Sequence, residues 1–380
     1  MKNNILKIFL IINCVCNLFS LSAGNKKNCE TMDIRKMIQP VPFTAIYSED
    51  SSFVWCGTML LGQDRLYHLF YSRWPVKYGF NAWVTNSEIA HAVSKSPTGP
   101  FKFNNVILPA RGKQYWDGLC THNPTVHFFK GKYYLYYVGN TGDGIIPYLQ
   151  NQAGNNLNRQ DIDSIEKKRN GLNWIHRNNQ RIGVAVADNP EGPWKRSDTP
   201  LLDVSEDSTV HDALMVSNPS VTEMCDGKYL MVYKAVAKKN ILPFGGPIVH
   251  LTAISGSPEG PFVKQNKPIF TSEGTSFAAE DPCIWYQDGS YYAIVKDMQG
   301  VFTHQGKSLA LFCSKDGFDW KLARHSLVSN LEVLFEDGSI RKFQSLERPQ
   351  LYFEKGKPVI ILLAGQIDKE HTFNIQIPLK

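Results

Sequence analysis

An all-β fold, a five-bladed β-propeller with four-stranded blades, is predicted by three observations on the 380-residue chain. A polar cluster followed by strand, turn and strand recurs five times. A Ser-Pro-x-Gly-Pro-aromatic type of turn recurs behind these heads. The head prolines 124, 219, 282 and 349 stand 95, 63 and 67 residues apart, a repeat scale that suits propeller blades.

The first unit runs 54–61, turns at Gln63-Asp64 and returns over 66–72. The second opens Thr121-His122-Asn123-Pro124, turns at Lys130-Gly131 and returns over 133–139. The third opens Ser217-Asn218-Pro219 and turns at Asp226-Gly227; the fourth opens Glu280-Asp281-Pro282 and turns at Asp288-Gly289; the fifth opens Glu347-Arg348-Pro349 and turns at Lys355-Gly356. Asp-Gly between two apolar runs is a strong hairpin signal, because both residues adopt positive φ readily. The tails are Ser96–Phe101, Asn189–Trp194, Ser257–Phe262 and Ser314–Trp320, and each delivers an aromatic to a fourth strand. The last of these faintly resembles the sialidase aspartate box but lacks its spacer, and reads as a blade turn. A polar insertion, about 143–180, lengthens the second unit and holds a short helix over 159–169. The strand at 372–378 has no unit of its own and is expected to complete a blade begun near the N-terminus, hiding the sheet edges.

Composition narrows the function. Hydrophobic residues make up 43% and charged residues 20%, an ordinary globular balance, and the net charge of +6 is small for this length. Lys167-Lys168-Arg169 is the one dense basic run and reads as a solvated loop, so no nucleic-acid partner is expected. Lys2 and Lys7, an apolar stretch over 8–21 and small Ser22-Ala23-Gly24 read as a cleaved signal peptide, 1–23. The mature domain is then 24–380, a monomer without a transmembrane segment, secreted or periplasmic. Six cysteines remain in it. Several lie in apolar strands, so buried thiols are the plainer reading and disulfides the alternative.

In a propeller the first strand of every blade lines the axis, so the clusters before those strands converge on one mouth. A single Asn-Pro or Asp-Pro is ordinary strand-start chemistry. Four at matched positions, bringing His122, Asn218, Glu280-Asp281 and Glu347-Arg348, point to a shared ligand site. His122 titrates in the range of a general acid or base, or is bonded to backbone. The Arg348 fork suits an anionic group such as a uronate or sulfate, or forms an ion pair with its neighbours. Trp74, Tyr78, Phe80 and Trp83 crowd one loop and offer faces for sugar stacking, with Glu88 at the loop's end able to join the pocket.

The Asn123-Pro124-Thr125-Val126 and Glu280-Asp281-Pro282 heads, their Gly-x-Tyr-Tyr returns and the Ser-Pro-x-Gly-Pro-aromatic tails resemble glycoside hydrolase family 43 and its five-bladed relatives across the mature chain. That resemblance implies a carbohydrate substrate and a trio of acids: a base heading blade one, a tuning acid heading blade three and a general acid heading blade four. An inverting mechanism of this kind separates two carboxyls by roughly 6.5–9.5 Å. Glu280 falls at the general-acid position with Asp281 beside it. Blade one has Trp55-Cys56-Gly57 and blade three Asn218 where acids are implied. Asp117 is the candidate base and Asp212 the candidate tuning acid, each alternatively a turn aspartate. Some relatives acting on algal galactans use a histidine as acid, the role His122 resembles. No cofactor is implied, though a structural metal on the axis is possible.

Three readings compete. The first is a secreted glycosidase cleaving polysaccharide-derived oligosaccharides by an inverting acid/base mechanism. The second, prompted by the missing acids, is a non-catalytic carbohydrate-binding propeller. The third is a uronate-polymer lyase with His122 or a tyrosine as base and Arg348 holding the carboxylate.

Overall fold

The computed structural model describes residues 31–144 and 171–380. The signal peptide, Cys29 and the helix expected at 159–169 lie outside them. Among the described residues, five four-stranded antiparallel sheets and one small hairpin make up the strand structure.

Strand β1, Ile46–Tyr47, comes first. Blade one is β2 (Ser52–Leu61), β3 (Tyr67–Pro75), β4 (Glu88–Ser94) and β5 (Lys102–Leu108). Blade two is β6 (Cys120–Phe129), β7 (Lys132–Asn140), β8 (Arg181–Ala187) and the two-residue β9 (Lys195–Arg196). Blade three is β10 (Met215–Glu223), β11 (Tyr229–Val236), β12 (Ile248–Ser255) and β13 (Val263–Ile269). Blade four is β14 (Ala279–Gln287), β15 (Ser290–Asp297), β16 (Ser308–Ser314) and β17 (Trp320–Asn330). A hairpin, β18 (Glu332–Leu334) and β19 (Ile340–Lys342), leads to blade five, which is β20 (Ser345–Glu354), β21 (Lys357–Gln366), β22 (Thr372–Pro378) and, outermost, β1. The strand at 372–378 is therefore the third strand of the fifth unit, and the N-terminal β1 supplies the fourth. Both chain ends share one sheet, which closes the ring.

The first strands touch in sequence, β2 on β6, β6 on β10, β10 on β14, β14 on β20, and β20 back on β2. Strand alternation explains how blades adhere. Tyr229, Met231 and Tyr233 face blade two, whereas Leu230 and Val232 face blade four. Likewise Tyr134 and Tyr136 face blade three while Tyr133, Leu135 and Tyr137 face blade one. Each of the five blade interfaces carries its own apolar cluster. Because both faces are covered, these strands read as near-continuous apolar runs. Outer strands are exposed along most of their length, as in β5 and β13. In three tails Gly99, Gly192 and Gly260 have positive φ before a cis Gly–Pro bond, and Phe101, Trp194 and Phe262 follow as expected. Cys56, Cys120 and Cys283 are buried thiols, and Cys225 is an exposed one.

Candidate functional site

The same irregularity interrupts every first strand. Pairing with the second strand slips between Trp55 and Thr58, His122 and Thr125, Ser217 and Ser220, Glu280 and Cys283, and Glu347 and Gln350. At each bulge one non-glycine residue has positive φ: Cys56 (55°), Asn123 (52°), Asn218 (52°), Asp281 (55°) and Arg348 (56°). A bulge turns its side chain out of the sheet and re-aims it. Here all five are aimed at the axis, where they meet.

They form a ring with one member per blade. Cys56 Sγ donates to Asn123 Oδ1 at 2.7 Å, Asn123 Nδ2 to Asn218 Oδ1 at 2.7 Å, and Asn218 Nδ2 to Asp281 Oδ1 at 2.7 Å. Arg348 Nη1 donates to the same Asp281 oxygen at 3.1 Å, and the Arg348 side chain in turn meets the Cys56 sulfur. Burial pushes the Cys56 thiol well above its ordinary range, so it is a donor within the ring and no nucleophile.

In four blades a proline follows the ring residue. Blade one has Gly57, whose N–H donates to Asn374 Oδ1 at 3.0 Å and where a Cβ would press on the Asn374 side chain at 2.9 Å. A proline there has no N–H to give and no room. The closing strand β22 thus dictates the glycine.

Above the ring lies a chain of alternating charges. Glu280 Oε1 accepts from Lys234 Nζ at 2.8 Å, and Glu280 Oε2 lies 3.7 Å from Lys296 Nζ. Lys296 also donates to Glu347. Lys234 and Lys296 occupy equivalent places on the second strands of blades three and four, opposite Ser217 and Glu280. Burial raises the Glu280 carboxyl, but the two lysines more than reverse this and hold it down to about 2. Asp281 goes the other way, raised by burial and by Glu280 against the pull of Arg348. Glu347 is also raised, by burial first and then by Asp281 and Glu280, against the pull of Lys296. Glu280 and Glu347 thus share one ammonium and hold protons with opposite tenacity.

A cavity of about 160 Å³ opens over this cluster. Its charged floor comprises Lys234, Glu280, Asp281, Glu347 and Arg348, and its wall Trp55, Trp74, Phe80, Trp83 and His122. The wall loop is two short 3-10 turns and helix α1, Trp83–Asn86, between β3 and β4. His122 is held between Trp83, stacked with centroids 4.9 Å apart, and Trp74, edge-on at 5.6 Å. Its Nδ1 is bonded to Ser87 Oγ at 2.8 Å. Burial, then Arg348 and Lys234, lower its pKa well below the ordinary range, so the ring is neutral. A groove of about 490 Å³ adjoins across Phe80, lined also by Phe53 and Tyr78.

The structure thus gathers His122, Trp83, Asn218, Glu280, Asp281, Glu347 and Arg348. Three other expected site residues stand elsewhere. Asp117 is buried outside the cavity, accepting from Arg111 Nε at 2.6 Å, Tyr137 Oη at 2.7 Å and Arg196 Nη1 at 3.4 Å. Asp212 accepts from Tyr233 Oη at 3.2 Å and pairs with Lys264 Nζ at 2.7 Å. Each precedes its ring asparagine by six residues, and each fastens the incoming loop to a second-strand tyrosine. Glu49 does the same for Tyr71 in blade one, assisted by Arg73 at 3.1 Å. These are blade staples, which explains aspartates at matched positions without catalysis. Glu88 turns away from the cavity to Arg73 Nε at 3.0 Å.

Lys234, Lys296 and the ring role of Cys56 escaped the sequence reading. The lysines carried a signal: each is the one cation in an apolar second strand facing a blade head. Among the described residues no cluster of three or more metal-ligating side chains is poised to hold a metal ion. Nor is any helix among them long and apolar enough to cross a membrane.

Fold and site together define a class: five-bladed β-propellers with an axial pocket of charged and aromatic side chains. No protein-family model and no curated protein matches the chain. Solved structures do. Zg3597, a family 117 glycoside hydrolase from the marine bacterium Zobellia galactanivorans, superposes with a TM-score of 0.57 at 14% identity over 90% of this chain and 89% of its own. The endo-arabinase from Bacteroides thetaiotaomicron gives 0.52 at 13% over 90% and 97%. The alpha-L-arabinofuranosidase from Lactobacillus brevis gives 0.52 at 11% over 91% and 94%. The chain has the propeller architecture of glycoside hydrolase families 43 and 117.

Proposed function

We propose that the protein is a glycoside hydrolase that cleaves a glycosidic bond in the axial cavity. One observation carries the reading: two half-buried carboxylates shifted in opposite directions, Glu280 and Glu347, share Lys296 under an aromatic wall. Hydrolysis needs one carboxyl that keeps its proton and one that has lost it. The proton-donor role implied for Glu280 does not suit a group clamped by two lysines. Glu347 is the better donor to the leaving oxygen, and Glu280 the better base toward water. Neutral His122 orients a substrate hydroxyl through Nε2, while Trp83 and Phe80 stack on the sugar face. The cavity is small beside ligand clefts of roughly 300–1,000 Å³, a size for one terminal unit with the next in the adjoining groove.

The test is a chromatographic product screen on plant and algal oligosaccharides. On a cleaved substrate, Glu347→Gln and Glu280→Gln should each lower turnover by about 10²-fold or more. Full turnover in both variants would overturn the reading. A binding-only propeller is the second reading, favoured by Cys56 and Asn218 standing where the family resemblance implies acids. Saturable oligosaccharide binding without product from any bound sugar would select it. Export by the 1–23 leader belongs to the same proposal, and N-terminal sequencing of the exported protein tests it.

A further inference from the structure

The charged cluster beneath the cavity is evenly matched until one further cation beside it is counted. Among the described residues, Lys234, Lys296 and Arg348 meet three carboxylates, Glu280, Asp281 and Glu347. A fourth cation, Arg177, stands nearby on the short helix α2, Trp174–Asn178. Arg177 is buried, donates to Asn178 Oδ1 at 2.8 Å and to the Phe244 carbonyl at 3.4 Å, and has Glu280 as the carboxylate acting on it. Glu280 is already taken by two lysines. Among the described residues, four cations are therefore set against three anions in and beside a largely desolvated cluster, where an unbalanced charge is costly.

Arg348 supplies the second, independent observation. It is 3% exposed and lines the cavity. Nη1 is bonded to Asp281 and the side chain also meets the Cys56 sulfur, while the buried Nε and Nη2 have no hydrogen-bond acceptor among the described residues. A guanidinium carries five N–H donors in a planar fork, and the Nε–Nη2 edge matches two oxygens of one oxyanion.

We propose that the sugar accepted by this cavity bears an anionic group, a carboxylate or a sulfate ester, placed against the free edge of Arg348 with Lys234 and Arg177 in support. The inference rests on the hydrolase reading for its site and deepens it by giving the substrate class. The substrate brings the missing negative charge, so binding completes the cluster. A neutral sugar of the same shape leaves the guanidinium edge unbonded.

Calorimetric titration of the full-length mature protein with matched oligosaccharide pairs tests this. One arm compares galacturonate oligomers with their carboxyl-reduced forms; the other compares sulfated galactan oligomers with desulfated ones. The expected result is that one charged member binds about tenfold or more tightly than its neutral partner, which arm shows it distinguishing uronate from sulfate. Arg348→Gln should erase that preference. Since Arg348 also belongs to the ring, Arg177→Gln, on the peripheral helix, provides the second variant and should reduce the preference at least threefold. Equal or tighter binding of the neutral members overturns the inference but leaves hydrolysis standing. Binding of no saccharide overturns both.

Discussion

Asn218 Nδ2 donates to Asp281 Oδ1 at 2.7 Å, a bond that helps tie blade three to blade four at the axis. The oxygen it reaches also accepts from Arg348 of blade five. A neutral amide and a guanidinium thus hold one carboxylate beneath the cavity. The five ring residues all have positive φ, a region that asparagine and aspartate enter more readily than most residues.

Replacing Asn218 by alanine removes two ring bonds at once. Asn123 loses its acceptor and Asp281 loses a donor, while alanine must still adopt a φ of 52°. The expected loss is about 2–4 kcal/mol, read by urea denaturation. A loss under about 0.5 kcal/mol would mean that the ring does not hold the blades.

Lys296→Met separates Glu280 and Glu347 from their shared cation. Glu280 sits at about 2 in the fold, below its unfolded value near 4.3. Its stabilisation is therefore complete above that unfolded value and lost as the pH falls through about 2. Glu347 and Asp281, raised in the fold, act in the opposite sense and favour folding more in acid. Without Lys296 both neighbouring carboxylates are under-compensated when ionised. The variant should be destabilised more at pH 7 than at pH 4, as denaturation at the two values will show. An equal penalty at both would remove the electrostatic account.

Asp117→Ala removes the carboxylate that Arg111, Arg196 and Tyr137 share outside the cavity, leaving Arg111 only Asp198 and the Ser197 carbonyl. Breaking a buried pair in this way costs about 3–5 kcal/mol, so the melting temperature should fall by many degrees. Turnover per folded molecule should hold. Loss of turnover with an unchanged melting temperature would restore Asp117 to the reaction.

Trp83→Ala removes the face stacked on His122 and opens the cavity wall. Aromatic contacts of this kind contribute about 0.5–1.5 kcal/mol beyond area. Oligosaccharide affinity should drop by roughly three- to tenfold in titration, with the fold intact by circular dichroism. Unchanged affinity would place sugar binding elsewhere.

Much of the architecture was legible because blades repeat. The X-Pro heads, Asp-Gly turns and Gly-Pro-aromatic tails each recur for a local backbone reason, and local reasons survive in a sequence. The head of blade one was the hardest to see, since Asn374 from the far end of the chain requires Gly57 in place of proline. The site was half legible. His122, Asn218, Glu280, Asp281, Glu347 and Arg348 come together in the candidate site because the clusters that head the first strands converge on the axis. Asp117 and Asp212 stand outside the cavity, which the chain order does not reveal, because a staple and a candidate acid look alike in one dimension: each is a carboxylate a few residues before a head.

The sequence by itself determined the five-unit ring and several of the side chains that crowd its axis, because strand alternation and turn chemistry act over a few residues. Only the tertiary structure decided what those side chains are to one another. Lys234 and Lys296 meet Glu280 and Glu347 across strands and blades, and that through-space pairing assigns the protons. Charge acts by distance in space, and distance along the chain does not record it.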